Sequence, residues 1–84
     1  MSRKEKLAAK LLDRKRETTW DELTSLLQYL GYREAKKGKT GGSRRRFVHE
    51  SGSVITLHKP HPQNVVKKYA TDQVIEILHK EGLL

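Results

Sequence analysis

His58 and His61 are separated only by Lys59-Pro60, and they follow closely on three consecutive arginines, Arg44-Arg45-Arg46, introduced by Gly41-Gly42-Ser43. Imidazoles titrate near neutral pH, so two of them can divide the roles of general base and general acid. Guanidinium groups stay protonated at any physiological pH and match the geometry of phosphate. Together these residue types are the equipment for metal-free RNA cleavage, in which a base takes the 2′-OH proton and an acid protonates the leaving oxygen. The cations would stabilise the charge developing on phosphorus. The same histidines also suit a plainer role, binding phosphate or capping a loop. Residue chemistry leaves both readings open.

The charge is local. Residues 33–46 hold seven Lys/Arg (Arg33, Lys36, Lys37, Lys39, Arg44, Arg45 and Arg46) against the single acid Glu34, so this window carries +6 of the formal +8. A concentrated positive patch is the footprint of a phosphate backbone. The expected RNA contacts are Lys37, Lys39, Gly41, Gly42, Ser43, Arg44, Arg45 and Arg46. Charges on a strand also serve to prevent edge-to-edge aggregation. That explanation is weaker for three arginines beside a Gly-Gly-Ser stretch, where backbone N–H groups can approach a phosphate. The run Lys37-Gly-Lys-Thr-Gly-Gly42 is not a nucleotide-binding P-loop, because a strand follows it and the spacing of that motif is missing.

Other chemistries find less support. The chain has no cysteine, hence no disulfide framework and no thiolate metal site. Neither His58 and His61 nor His49 and His79 show the helical spacing of a zinc protease, so no metal and no small-molecule cofactor is expected. Lys and Glu interrupt residues 1–10 before any apolar run forms, and no segment approaches the roughly 20 apolar residues of a membrane span. Basic charge in a loop and a strand, rather than along an amphipathic helix, argues against membrane-surface binding. The expectation is a single soluble, cytoplasmic domain of 84 residues, 1–17 being an N-terminal helical extension.

The elements that must position these residues are readable from periodicity. Leu7, Ala8, Leu11 and Leu12 make one side of a short amphipathic helix over 4–15. Residues 14–18 read as a connector. Thr19-Trp-Asp-Glu22 is a capping box before Leu23, Leu26, Leu27 and Leu30, and Gly31 stands where a left-handed cap is wanted. Strands are predicted over 32–36, 44–50 and 54–58, with Ser51-Gly52 as the turn of the second hairpin. Alternation then puts Phe47, Ile55 and Leu57 on the core side, and Arg44, Arg46 and His58 together on the outer one. Thr71 or Asp72 is predicted to open a last helix that carries Val74, Ile75, Ile77 and Leu78 and ends at Gly82. Trp20, Tyr32 and Phe47 are rings able to stack on bases, though Trp20 and Phe47 suit the core better. The sum is an α+β fold with a three-stranded antiparallel sheet, helices on one face and an extra N-terminal helix.

From Thr19 to the C-terminus the chain resembles the HicA family of bacterial toxins. The resemblance rests on the Leu-rich helix closed by Leu30-Gly31-Tyr32, and on Gly42-Ser43 opening a basic strand. The His61-Pro62 exit and a final helix closing in Gly82-Leu83-Leu84 add to it. It implies a double-stranded-RNA-binding-domain-like fold, metal-independent cutting of mRNA and neutralisation by a cognate HicB antitoxin. It also implies a catalytic histidine just after a Gly-Ser pair, where this chain has Arg44. An arginine stays protonated and cannot serve as the base. Either His58 and His61 carry the chemistry, or this branch binds RNA without cutting it. A third reading is an interaction protein whose basic face mainly meets an acidic antitoxin. An open sheet face and a spare helix leave self-association open as well.

Overall fold

The computed structural model describes residues 2–13, 15–35, 44–60 and 63–84. The expected contacts at Lys37, Lys39, Gly41, Gly42, Ser43 and His61 thus lie outside the described residues. The elements along the chain are α1 (Arg3–Leu12), β1 (Thr18–Thr19), α2 (Trp20–Tyr29), β2 (Tyr32–Glu34), β3 (Arg44–His49), β4 (Val54–His58), β5 (Val65–Val66) and α3 (Lys68–Lys80).

Helix α2 starts where its capping box says it should. The Thr19 hydroxyl oxygen accepts from the Glu22 N–H at 3.2 Å, and the Glu22 carboxylate accepts from the Thr19 N–H at 3.0 Å. Leu23, Leu26 and Leu27 are fully buried, and Trp20 meets Phe47 edge-on with ring centroids 5.9 Å apart. After the helix Gly31 takes φ +99°, a left-handed conformation that other residues adopt only with strain.

Helix α1 is part of the same body. Its N-cap Ser2 accepts from the Glu5 N–H, and Leu7 and Leu11 are buried in the common core. Lys10 Nζ donates to Glu22 Oε2 at 2.6 Å, tying α1 to the cap of α2. Burial is the largest influence on the Glu22 carboxyl and by itself would raise its pKa. The Lys10 and Thr19 hydrogen bonds and the Lys10 charge together outweigh it, and leave the group below its ordinary range. The helix ends at Leu12 rather than at Lys15, because Asp13 takes an extended cap and its carboxylate turns to accept from the Lys15 N–H.

Strands β2, β3 and β4 form an antiparallel sheet in that order. Phe47 lies opposite Ile55, Arg45 opposite Leu57, Arg46 opposite Thr56 and Arg44 opposite His58. Tyr32, Phe47, Ile55 and Leu57 are buried against α2 and α3, where Val74 and Leu78 receive them. Among the described residues, no helix covers the other face. The hairpin between β3 and β4 closes with His49 N–H on the Ser53 carbonyl and Gly52 N–H on the His49 carbonyl, with Gly52 at φ +97°.

The pairing before α2 and the start of α3 also depart from the expectations. A two-residue ladder joins β1 to β5, pairing Thr18 with Val66 and Thr19 with Val65, in a stretch read as a plain connector. It clamps the entries of α2 and α3 side by side. Helix α3 opens at Lys68, three residues before Thr71, directly after the clamp. Instead of capping, the buried Thr71 hydroxyl donates to the Lys68 carbonyl at 2.9 Å. At its end, Gly82 at φ +72° stops the helix as expected.

Candidate nucleic-acid interface

The open sheet face is assembled by alternation alone. Arg33 from β2, Arg44 and Arg46 from β3, and Thr56 and His58 from β4 are all exposed there, with Val48 and Val54 between them. Among the described residues of the three paired strands, no carboxylate shares this face. A cationic surface without acids is suited to a phosphate chain.

Arg44 and His58 stand nearest to chemistry. The His49–Ser53 bond sets the alternation of the ladder, so Phe47–Ile55 and Arg45–Leu57 exchange backbone bonds while Arg44–His58 does not. Side chains at such non-bonded pairs lie closest, with Cα atoms typically about 4.5 Å apart. A fixed cation and an imidazole are thereby set side by side on an exposed surface.

Arg45 points the other way. It shares the core-facing side with Phe47, its side chain is 19% exposed, and its Nε lies 3.3 Å from Glu34 Oε2. Of the arginine run, only Arg44 and Arg46 belong to the open face.

His49, His79, Trp20, Tyr32 and Phe47 have structural places. His49 lies on the inner side of the sheet, tilted at 55° on Tyr32 with ring centroids 5.0 Å apart. Its Nδ1 accepts from the Ser51 N–H at 3.0 Å, and the Ser51 hydroxyl donates to Glu81 at 3.1 Å, binding the hairpin to the end of α3. His79 is exposed in the last turn of α3, where a cation complements the helix dipole. Trp20, Phe47 and also Tyr32, at 1% exposure, are core residues, so none of the three offers a stacking surface. Tyr32 instead bonds its hydroxyl to Ser53 at 2.7 Å.

His58 also faces a cleft at the outer edge of β4, with Lys59, Lys67 and Tyr69 on its rim. These residues were not singled out from sequence. The signal was there in Lys67-Lys68-Tyr69, a basic pair beside an aromatic, but it begins 21 positions after Arg46, far along the chain from the arginine run. Among the described residues, no three His, Asp or Glu side chains gather as a metal set, and no helix is long and apolar enough to cross a membrane.

A family model described as the HicA toxin of bacterial toxin-antitoxin matches residues 20–82. No curated protein and no solved structure matches the chain. The matched span starts at the first residue of α2 and takes in all of β2, β3, β4 and α3, leaving α1 and β1 in front of it. Its α+β build, three antiparallel strands with helices on one face, is double-stranded-RNA-binding-domain-like. With three quarters of its length under that match, the chain belongs to the HicA toxin family.

Proposed function

We propose that the protein is a metal-independent endoribonuclease that cuts mRNA and is neutralised by an antitoxin of the HicB kind. The observation that carries the reading is the Arg44–His58 pair on the open basic face. The family resemblance places a catalytic imidazole after the Gly-Ser pair, where Arg44 stands. His58 supplies an imidazole directly across the ladder from that position, so the substitution shifts the group by one strand rather than removing it.

In this reading one imidazole takes the proton of a 2′-OH, whose oxygen attacks the adjacent phosphorus. The bond to the 5′ oxygen breaks, and a second acid protonates that leaving group. His58 and His61 divide these roles, and Arg44 and Arg46 hold the phosphate and its developing charge, with Lys37, Lys39 and the backbone at Gly41, Gly42 and Ser43 extending the grip. An antitoxin with an acidic surface would compete for the same cations. Arg44 also favours a second reading, an RNA-binding member that has lost the chemistry and kept the affinity.

A cleavage assay on a long mRNA with excess chelator separates the two. Cutting by the wild type that His58→Ala and His61→Ala each lose, with RNA affinity kept, is the expected result. Binding without cutting would leave the second reading. Cutting retained in the double His58→Ala/His61→Ala variant would sink the catalytic assignment.

A further inference from the structure

Beyond the sheet face lies a cleft of about 310 Å³ between the free edge of β4 and the start of α3. Small-ligand sites run from roughly 300 to 1,000 Å³, so this one is sized for a single nucleotide rather than a larger group. The register of β3 and β4 directs the backbone N–H and C=O groups of Thr56 and His58 toward this edge, away from β3. The β1–β5 ladder holds the opposite wall, fixing Val66 and the entry of α3.

The lining is selective in its chemistry. Lys59 and Lys67 provide cations, and Gln63 and Gln73 provide amides that can both donate and accept. Tyr69 presents a ring that is 66% exposed, more open than Tyr29 at 52% and unlike the buried Trp20, Tyr32 and Phe47. No carboxylate is among the residues described around this cleft. The surface hollow beside α1 includes Glu22, and that between α1 and α3 includes Asp72 and Glu76. Cations, amides and an open aromatic ring without acids form a site for a base attached to a phosphate. A peptide strand at the β4 edge would use the backbone groups but has no need of the ring or of two lysines.

We infer that this cleft receives one unstacked nucleotide of a single-stranded RNA, its base on the Tyr69 ring, its edge met by Gln63 and Gln73, and its phosphate held by Lys59 and Lys67. The inference rests on the RNA reading above. His58 belongs both to this cleft and to the Arg44 pair, so the seated nucleotide is the one next to the bond that is cut. Tyr69 is thus a specificity-determining residue outside the acid–base pair.

The test is binding of a short single-stranded 2′-O-methyl RNA, which lacks the attacking hydroxyl, by the full chain and its variants. A stacked base contributes enough that Tyr69→Ala should weaken binding roughly 5- to 150-fold. Tyr69→Phe should stay near wild type, because it keeps the ring. A duplex of the same sequence keeps its bases stacked and should not respond to Tyr69→Ala. Placing an abasic nucleotide at successive positions should find one whose loss equals that of Tyr69→Ala and does not add to it. If Arg44→Ala/Arg46→Ala weakens binding while Tyr69→Ala does not, the cleft assignment fails and the RNA reading stands. If the wild type binds no RNA, both fail. If Tyr69→Ala weakens capture of a HicB-type antitoxin and leaves RNA affinity unchanged, the cleft is a protein site and the inference is overturned.

Discussion

Arg44 and His58 face each other across the β3–β4 ladder at a position where the strands exchange no backbone hydrogen bonds. Both side chains are exposed on the sheet face that, among the described residues, no helix covers. Neither residue alone defines a site: an exposed arginine on a strand is ordinary, and so is a histidine before a proline-rich exit. Their pairing sets a permanent cation beside an imidazole, and in the proposed reading the two act on one phosphodiester. In the proposed reading that relationship makes the histidine implied by the family resemblance a relocated group rather than a lost one, and moving the ring back tests it.

His58→Ala should reduce mRNA cleavage by about 10²- to 10⁴-fold, the usual contribution of a positioned acid or base, while changing RNA affinity little. Introducing Arg44→His into that variant should recover part of the activity, because the imidazole then reaches the same phosphate from the neighbouring strand. Single-turnover cleavage rates at saturating protein are the readout. No recovery together with undiminished binding would argue that the two positions do not serve one phosphate.

Arg44→Ala/Arg46→Ala should weaken RNA binding for every sequence alike. At about 0.7 per phosphate contact on single strands, the slope of log affinity against log salt should become shallower by roughly 1.4. Arg45→Ala should change that slope much less, since its side chain turns inward to Glu34. Fluorescence titrations across a salt series decide it.

Gly31→Ala should destabilise the fold by about 1–3 kcal/mol through backbone strain. A Cβ at φ +99° would also come within 2.9 Å of His49 Nε2, and that ring is held by Tyr32 and Ser51. Adding His49→Ala should relieve only the contact and leave the strain. Urea unfolding of the single and double variants measures both parts.

Leu11→Ala should cost about 2–5 kcal/mol, the range for emptying a buried leucine site, although Leu11 lies ahead of the family-matched span. A domain this small has little stability to lose, so the variant should show a markedly lower urea midpoint. A loss under about 0.5 kcal/mol, the level of a neutral surface change, would mean that α1 is an appendage rather than part of the core.

Glu22→Gln should make stability less sensitive to acid. The carboxyl lies below its ordinary range in the folded state, so its ionised form adds stability at neutral pH. That contribution starts to fall as pH drops through the normal carboxylate value near about 4.3 and is gone once pH is below the lowered folded value. Wild type should therefore exceed Glu22→Gln at pH 7 and converge on it under acid, as followed by thermal melts.

Much of the framework is a local property and was open to reading from the chain. The capping box at Thr19–Glu22, Gly31 and Gly82 at helix ends, and the two faces of β3 and β4 follow from spacing, because period and cap chemistry act over a few residues. That separation of faces also put Arg44, Arg46 and His58 together before any coordinates. The β1–β5 ladder was beyond such reasoning, since two residues show no period and their partners are more than forty positions away. So was the start of α3 at Lys68, where no side chain caps the helix and Thr71 offered a false signal.

The sequence by itself determined the charge, its concentration in one window, the helices with their caps, and the alternation that makes one sheet face basic. Those depend on each residue and its near neighbours. Only the tertiary structure decided that Arg45 pairs with Glu34, that Tyr32 is buried while Tyr69 stays open, and that Lys59 and Lys67 line one cleft at the β4 edge. These outcomes depend on which distant segments pack together, and hydrophobic burial, which is non-directional, selects those partners only once the whole chain has closed.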